Sequence, residues 1–315
     1  MIISISPWGN LGNRVTKSVA ARTLGRLVGA WIVAVALIMP VSAAWACSDQ
    51  TKPIAVGGVD GFQSFANPAN TAILRASCKV SLYIHDYIWT RLPGGDATRR
   101  AILAAFKGTG PAVVELGASP DAKSYFGSYY RKTYLGLGVV ARDANVNGAR
   151  HLSMAQWKAY VDGARADGLK IVAPVFAPNV NQMWHNGVID SHVWGTIKAR
   201  ALIGGGLTVD APPSFFFGYT PAYRRFIVHE IRWTKRNKLL STLIISPNTA
   251  RRRFLADTQL MIAYLTKRDA LPDHYVVENY EPLPVPKHFI NLVGSEANGY
   301  SVAGIALWMT TLVHG

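Results

Sequence analysis

The feature that most constrains this chain is a repeated alternation of short β-rich runs with longer segments carrying helix signals. The runs are Ser81–Ile88, Ala112–Gly117, Leu135–Ala141, Lys170–Phe176, Leu207–Asp210, Leu240–Ser246, Tyr275–Asn279 and Val302–Trp308. Most are continuously apolar rather than alternating, which is how strands buried on both faces of a parallel sheet read. Between them, Ser153-Met154-Ala155-Gln156 is a capping-box pattern, Asp190 and Asp96 sit where helix caps are expected, and Thr220-Pro221 places a hydroxyl before proline at a helix start. Phe254, Met261 and Leu265 fall on one helical face. Strands alternating with helices of this length imply βα units with right-handed crossovers. Eight of them close a (β/α)8 (TIM) barrel of class α/β, with an open doubly wound α/β sheet as the alternative.

The N-terminus reads differently. Residues 1–46 hold Arg14, Lys17, Arg22 and Arg26, no acid, an apolar run from Leu27 to Met39, and then Pro40 and a small-residue exit ending Ala44-Trp45-Ala46. That order describes a secretory signal peptide cleaved after Ala46. Lipidation at Cys47, or an uncleaved anchor over Leu27 to Ala46, are the alternatives. The expected location is secreted or periplasmic, with no membrane span after cleavage. The expected domains are the signal peptide (1–46), an N-terminal extension (47–79) wrapping the barrel's outside or plugging its bottom, and the barrel (80–315). In an oxidising compartment the two cysteines, Cys47 and Cys78, are expected to pair. Closing that loop contributes about 3–4 kcal/mol in the chain-entropy account.

Losing the leader's four basic residues takes the formal charge from +15 to +11. A basic exported protein suits an anionic surrounding such as acidic polysaccharide, cell-wall polymer or lipid headgroups, while export sets nucleic acid aside. A polysaccharide is therefore the expected partner and a monomer the expected state. The helix bearing Arg225, His229, Arg232 and Arg236 reads either as a grip for an anionic polymer or as a solvated outer face.

The positions of the acids carry the functional reading. Only 18 exist, yet Asp86, Glu115, Asp143, Asp210 and Glu278 fall at or near the C-terminal ends of the expected strands. In a (β/α)8 barrel that end carries the active site, and a charge inside an apolar run is costly to bury without a partner or ligand. Glu278 ends the expected seventh strand, in Tyr275-Val276-Val277-Glu278-Asn279-Tyr280, and Trp308 ends the expected eighth. In these two positions the sequence resembles retaining (β/α)8 glycoside hydrolases, at clan level. The resemblance implies Glu278 as nucleophile and Trp308 as part of a sugar subsite. The chain departs from that pattern after the expected fourth strand, where Ala177-Pro178-Asn179 stands in place of Asn-Glu.

A partner acid must then come from another strand end, because glycoside hydrolysis needs one carboxyl protonated and one ionised. Asp210 is preferred over Asp143, since Arg142 beside Asp143 offers an ion-pair partner that would hold it ionised. Glu115 and Asp86 are expected to contact substrate. Trp89, Trp184, Tyr219, Tyr280 and Trp308 follow or end strands, where flat rings stack on pyranose faces, and Asn279 is expected to contact substrate beside them. The histidines show no metal-ligand spacing, no G-x-S-x-G elbow occurs, and Gly204-Gly205-Gly206 reads as a helix stop, so neither metal nor cofactor is expected. The composite expectation is an exported glycoside hydrolase acting on a polysaccharide. A non-catalytic polysaccharide-binding barrel of exopolysaccharide export or assembly is the alternative.

Overall fold

Eight parallel strands hydrogen-bond in a closed ring in the computed structural model of the chain. It describes residues 54–58, 62–68, 71–72, 74, 80–176, 184–185, 188–189, 191–218, 220–246, 253–279 and 302–314. The strands are β1 (Ile54–Gly58), β2 (Val80–His85), β3 (Ala112–Gly117), β4 (Ala141–Asn147), β5 (Lys170–Phe176), β6 (Gly206–Asp210), β7 (Leu240–Ile245) and β8 (His274–Asn279). Each pairs with its successor, and β8 pairs with β1, so the sheet has no edge and the open-sheet alternative is excluded. The longer helices are α1 (Gly95–Ala105), α2 (Met154–Ala166), α3 (Ser191–Gly204), α4 (Pro221–Arg236), α5 (Phe254–Thr266) and α6 (Val302–His314). The Ser153–Gln156 capping box forms as expected, and Thr220 precedes Pro221 at the start of α4.

Two of the expected strands are misplaced and one real strand was missed. Ile54–Gly58, expected in an outer extension, is β1 of the barrel. Leu135–Leu137 is a 3-10 turn closed by Gly138 at φ 89°, and the strand lies at Ala141–Asn147 instead. Val302–Trp308 belongs to helix α6, which packs against β1 and β8. A short apolar run does not distinguish a buried strand from a buried helix, whereas β4 hides because half of its residues are polar. The count of eight survives because one false strand offsets one missed strand. Residues 1–53, with the leader and Cys47, lie outside the described residues, as does Cys78. Among the described residues no helix is long and apolar enough to cross a membrane.

Side chains alternate across a strand, and the register runs round the ring with one shift, between Ala112 and Val113 of β3 against β4. Outward residues such as Val56, Leu82, Ile84, Val114, Leu116, Val209, Leu243 and Val277 join the large core between strands and helices. Inward residues of the same strands include a separate small apolar cluster of Ala55, Tyr83, Val113, Ile244 and Val276. Polar side chains share the interior with these and with Val172, which stands in register with Asn145. At its N-terminal end Asp143 is buried between Arg142 (2.8 Å) and His274 (3.4 Å).

Helix α4 buries Phe226, Ile227, Ile231 and Thr234, and among them Glu230, neither of whose carboxyl oxygens has a hydrogen-bond partner among the described residues. Burial pushes this carboxyl well above the usual carboxylate range. A raised acid binds a proton in the folded chain that the unfolded chain releases, so Glu230 destabilises the fold increasingly as pH rises above about 4. Glu230→Leu should therefore stabilise the protein by about 1–3 kcal/mol, with a larger gain at pH 8 than at pH 5. Thermal melts at the two pH values test this, and a destabilised variant at both would rule it out.

Candidate active site

The C-terminal end of the barrel interior gathers His85 from β2, Glu115 from β3, Asp210 from β6 and Glu278 from β8. Strand β1 lies between β2 and β8, and its inward residue at this level is Gly57, in register with Glu278. With no side chain there, His85 reaches across and its Nε2 donates to Glu278 Oε2 at 2.8 Å. Gly57 is required for a second reason: a Cβ would lie 2.6 Å from the Tyr83 carbonyl oxygen and 3.0 Å from its side chain. Tyr83 fills the interior beneath His85, edge-on to it at 4.9 Å between ring centres, and donates its hydroxyl to Glu115 Oε2 at 2.9 Å. His85 Nδ1 stands 3.2 Å from Glu115 Oε1, an ion-pair contact whose angle does not make a hydrogen bond. Asn145 and Asn147 of β4 each approach Glu115 at 3.5 Å.

Burial alone would pull the His85 imidazole towards the neutral form. The charge and close approach of Glu115 first, and the bond to Glu278 after them, overcome this and raise its pKa to about 10. Burial also disfavours the Glu115 carboxylate, but the His85 charge and close approach, with the bonds from Tyr83 and Asn147, bring its pKa below the ordinary value. Both partners thus agree on an imidazolium held against a carboxylate. Asp210 is the opposite case. It keeps some solvent contact at the mouth, yet protein surrounds it otherwise, and it makes no hydrogen bond or ion pair among the described residues. Desolvation, then the charges of Glu278 and Glu115, push its pKa up to about 8.

Several expected site residues lie elsewhere. Asp143 begins β4 at the opposite end of the barrel, tied to Arg142 and His274, so it is structural rather than a partner acid. Asp86 follows β2 at the mouth, but its Oδ1 accepts both the Tyr129 (2.7 Å) and Tyr134 (2.6 Å) hydroxyls, pinning the π-helical segment Tyr125–Tyr130 over that side. Trp89 is a core residue: fully buried, stacked on Tyr134, its indole N–H donating to the Thr133 carbonyl at 3.0 Å. Trp308 lies on α6, half-buried against the outer core. Trp184 forms a two-residue antiparallel pair with Ile189, and Asn279 ends β8 opposite Gly58. Tyr219 and Tyr280 lie outside the described residues. His85 and Tyr83, which the sequence reading did not select, are the pieces that join the acids. Among the described residues no three His, Cys, Asp or Glu side chains are arranged to hold a metal ion.

Glu278 ends the eighth strand, not the seventh, and Trp308 follows no strand, so the two positions behind the glycoside hydrolase resemblance do not match that family's pattern. No protein-family model and no curated protein matches the chain. Among solved structures, it is similar to the carboxyl transferase domain of Rhizobium etli pyruvate carboxylase with pyruvate and biocytin. That match has 10% identity over 86% of this chain and 48% of that one, TM-score 0.46, so the chain spans about half the length of that neighbour. It is also similar to D-psicose 3-epimerase with D-tagatose from Clostridium cellulolyticum H10 (14% identity, 83% and 99% covered, TM-score 0.44). Dihydropteroate synthase from Xanthomonas albilineans with 7,8-dihydropteroate matches at 14% identity, 85% and 95% covered, TM-score 0.40. None of the three is a glycoside hydrolase, and the barrel rests on its own strand register.

A histidine whose pKa is raised on folding contributes stability that is full below its unfolded value and lost as pH rises through the folded one. The His85 contribution should therefore be complete below about pH 6.5 and fade towards pH 10. Glu115→Gln removes the largest of the charges raising it and should move this alkaline loss to lower pH. Melting temperature followed from pH 6 to 10 in both proteins provides the check, and superimposable profiles would refute the coupling.

Proposed function

We propose that the barrel mouth is an acid–base site that hydrolyses a glycosidic bond, with Asp210 as the acid and Glu278 as its carboxylate partner. The observation that carries the reading is the contrast in contacts between these two groups in one interior. Burial keeps the proton on Asp210 at neutral pH, while Glu278 accepts a hydrogen bond from His85. A carboxyl held protonated beside a second carboxyl can serve as acid and partner, and glycosidic cleavage needs that pair. Asp210 would donate its proton to the leaving glycosidic oxygen as the C–O bond breaks. Glu278 would supply negative charge to the oxocarbenium-like centre, and water would complete hydrolysis. Asn145 Oδ1 and Thr208 Oγ1 are buried in the interior without hydrogen-bond partners among the described residues, which suits a ligand rich in hydroxyls.

One observation favours a second reading, a polysaccharide-binding barrel without turnover. His85 engages both Glu115 and Glu278, so the cluster is largely compensated before any ligand arrives. One set of variants separates the two. As a catalyst, the protein should lose about 10² to 10⁴-fold in rate with Asp210→Asn, the usual span of general acid catalysis. Glu278→Gln should abolish turnover with ligand affinity kept, and wild-type activity should fall as pH rises through about 8, where Asp210 loses its proton. Reducing-sugar release across polysaccharides reads all three, and NMR of the first product reports whether Glu278 attacks carbon or deprotonates water. Full activity in Glu278→Gln would end the hydrolase reading. Tight sugar binding without turnover in the wild type would establish the second.

Export belongs to the same proposal, because the pattern of residues 1–46 would place the site outside the cytoplasm. Mature protein from the cell envelope should begin at Cys47 and carry a Cys47–Cys78 bond on peptide mapping. A retained leader or a free thiol at either position would contradict that part.

A further inference from the structure

On the outside of the barrel, away from the mouth, α4 presents Arg225, His229, Arg232 and Arg236 on a single stripe. The spacings of four, three and four residues stack them over about 16 Å of helix at 1.5 Å per residue. They line a pocket of about 350 Å³ together with Val228 and Arg268, the last from just beyond α5. Arg268 lies flat on the Tyr264 ring at 3.5 Å, and the Lys198 ammonium of α3 sits over Trp194 at 5.2 Å and Trp233 at 5.9 Å. Five basic side chains thus line one concavity, with Lys198 of α3 near its edge at Trp194 and Trp233.

No acid answers them. Among the described residues none of Arg225, Arg232, Arg236 and Arg268 has a carboxylate within ion-pair distance. The one acid on α4, Glu230, points into the core. A solvated helix face ordinarily mixes signs, because like charges four residues apart destabilise a helix by about 0.2–0.5 kcal/mol per pair. The repulsion is visible at His229, whose pKa is lowered by burial first and then by Lys198 and Arg236. An unrelieved cationic stripe in a concavity fits a ligand that brings the missing negative charge.

We propose that this face is a docking surface for an acidic polysaccharide, its uronate carboxylates gripped by the arginine forks. Guanidinium groups match carboxylates in a two-bond geometry, and a stripe of this length faces several successive charges of a polymer. Two other polyanions fit less well. Helices that lie on membranes need an exposed apolar face, and the pocket's one apolar lining residue, Val228, is buried. Single-stranded nucleic acid needs open aromatic platforms, but Trp194 is buried and Arg268 covers Tyr264. The surface is separate from the barrel mouth, so it stands whether or not the acid–base reading does.

The test uses full-length protein and polygalacturonate, with affinity measured by calorimetry at low and moderate salt. Arg232→Ala with Arg236→Ala should weaken binding about tenfold per arginine, the loss expected for a hydrogen bond between charged groups, with melting temperature retained. The control pair Lys107→Ala with Lys132→Ala removes the same charge elsewhere and should change affinity less than threefold. In the wild type, binding should also raise the His229 pKa, read by NMR, since a carboxylate offsets its cationic neighbours. Equal losses in both double variants, unchanged binding in the arginine pair, or an unmoved His229 would overturn the proposal. So would tighter binding of duplex DNA or phosphatidylglycerol vesicles than of polygalacturonate at the same salt.

Discussion

The bond from His85 across Gly57 to Glu278 is the contact on which the barrel's interior depends. Removing charge from water is expensive, and a buried pair recovers that cost only with good geometry and further hydrogen bonds. Here one imidazolium serves Glu115 and Glu278, Tyr83 adds a hydroxyl to Glu115, and Asp210 completes the electrostatic balance by keeping its proton. Among the described residues three carboxyls and one imidazole share this space, and burial with the charges of its neighbours holds the Asp210 carboxyl towards its neutral form. Gly57 makes the geometry possible. A side chain there would meet the Tyr83 backbone and ring that lie beneath His85.

The interior is therefore layered by chemistry rather than filled throughout by branched apolar residues. Arg142, Asp143 and His274 tie its N-terminal end, Tyr83 with Val113, Ile244 and Val276 fills the middle, and the acids occupy the C-terminal end. The interior's apolar cluster is small beside the core outside it. Most hydrophobic burial falls to the outward faces, whose Val, Ile and Leu side chains meet the helices in that large core. This division leaves the interior free to hold costly groups at the mouth.

That division also decides what could be read from the sequence. The outward residues make the apolar runs, and those runs place β3, β5, β6, β7 and β8 nearly as they stand. Strand β4 escapes because its inward Asp143, Asn145 and Asn147 interrupt the run, and β1 escapes because it is five residues ending in two glycines. The α6 run is misread because an apolar helix against a barrel looks like a buried strand over seven residues. In the site, the set of acids was legible, and Asp210 and Glu278 do end strands that face the same end of the interior. Asp143 was misassigned with β4, since a shift of the strand moves it from one end of the barrel to the other. His85 was within reach: Ser81, Tyr83 and His85 are polar at every second position, the mark of a strand with one polar face.

The two faces of the barrel wall carry opposite electrostatics, and this bears on how a polymer would meet the protein. Among the described residues carboxyls dominate the interior at the mouth, where His85 is already engaged by Glu115 and Glu278. Cations dominate the outer face at α4, where none of Arg225, Arg232 and Arg236 has a carboxylate within ion-pair distance among the described residues. An anionic chain would be repelled by the first and drawn to the second. A polymer bearing both acidic and neutral sugars would then be sorted along its length, its uronates retained on the outer arginines and its neutral units presented to the acids. Exposed charges act only over about 8–10 Å at physiological salt, so such sorting is local to each face. The outer stripe would hold the polymer without dictating which bond reaches the mouth, and selectivity there would rest on hydroxyl contacts from residues such as Asn145 and Thr208.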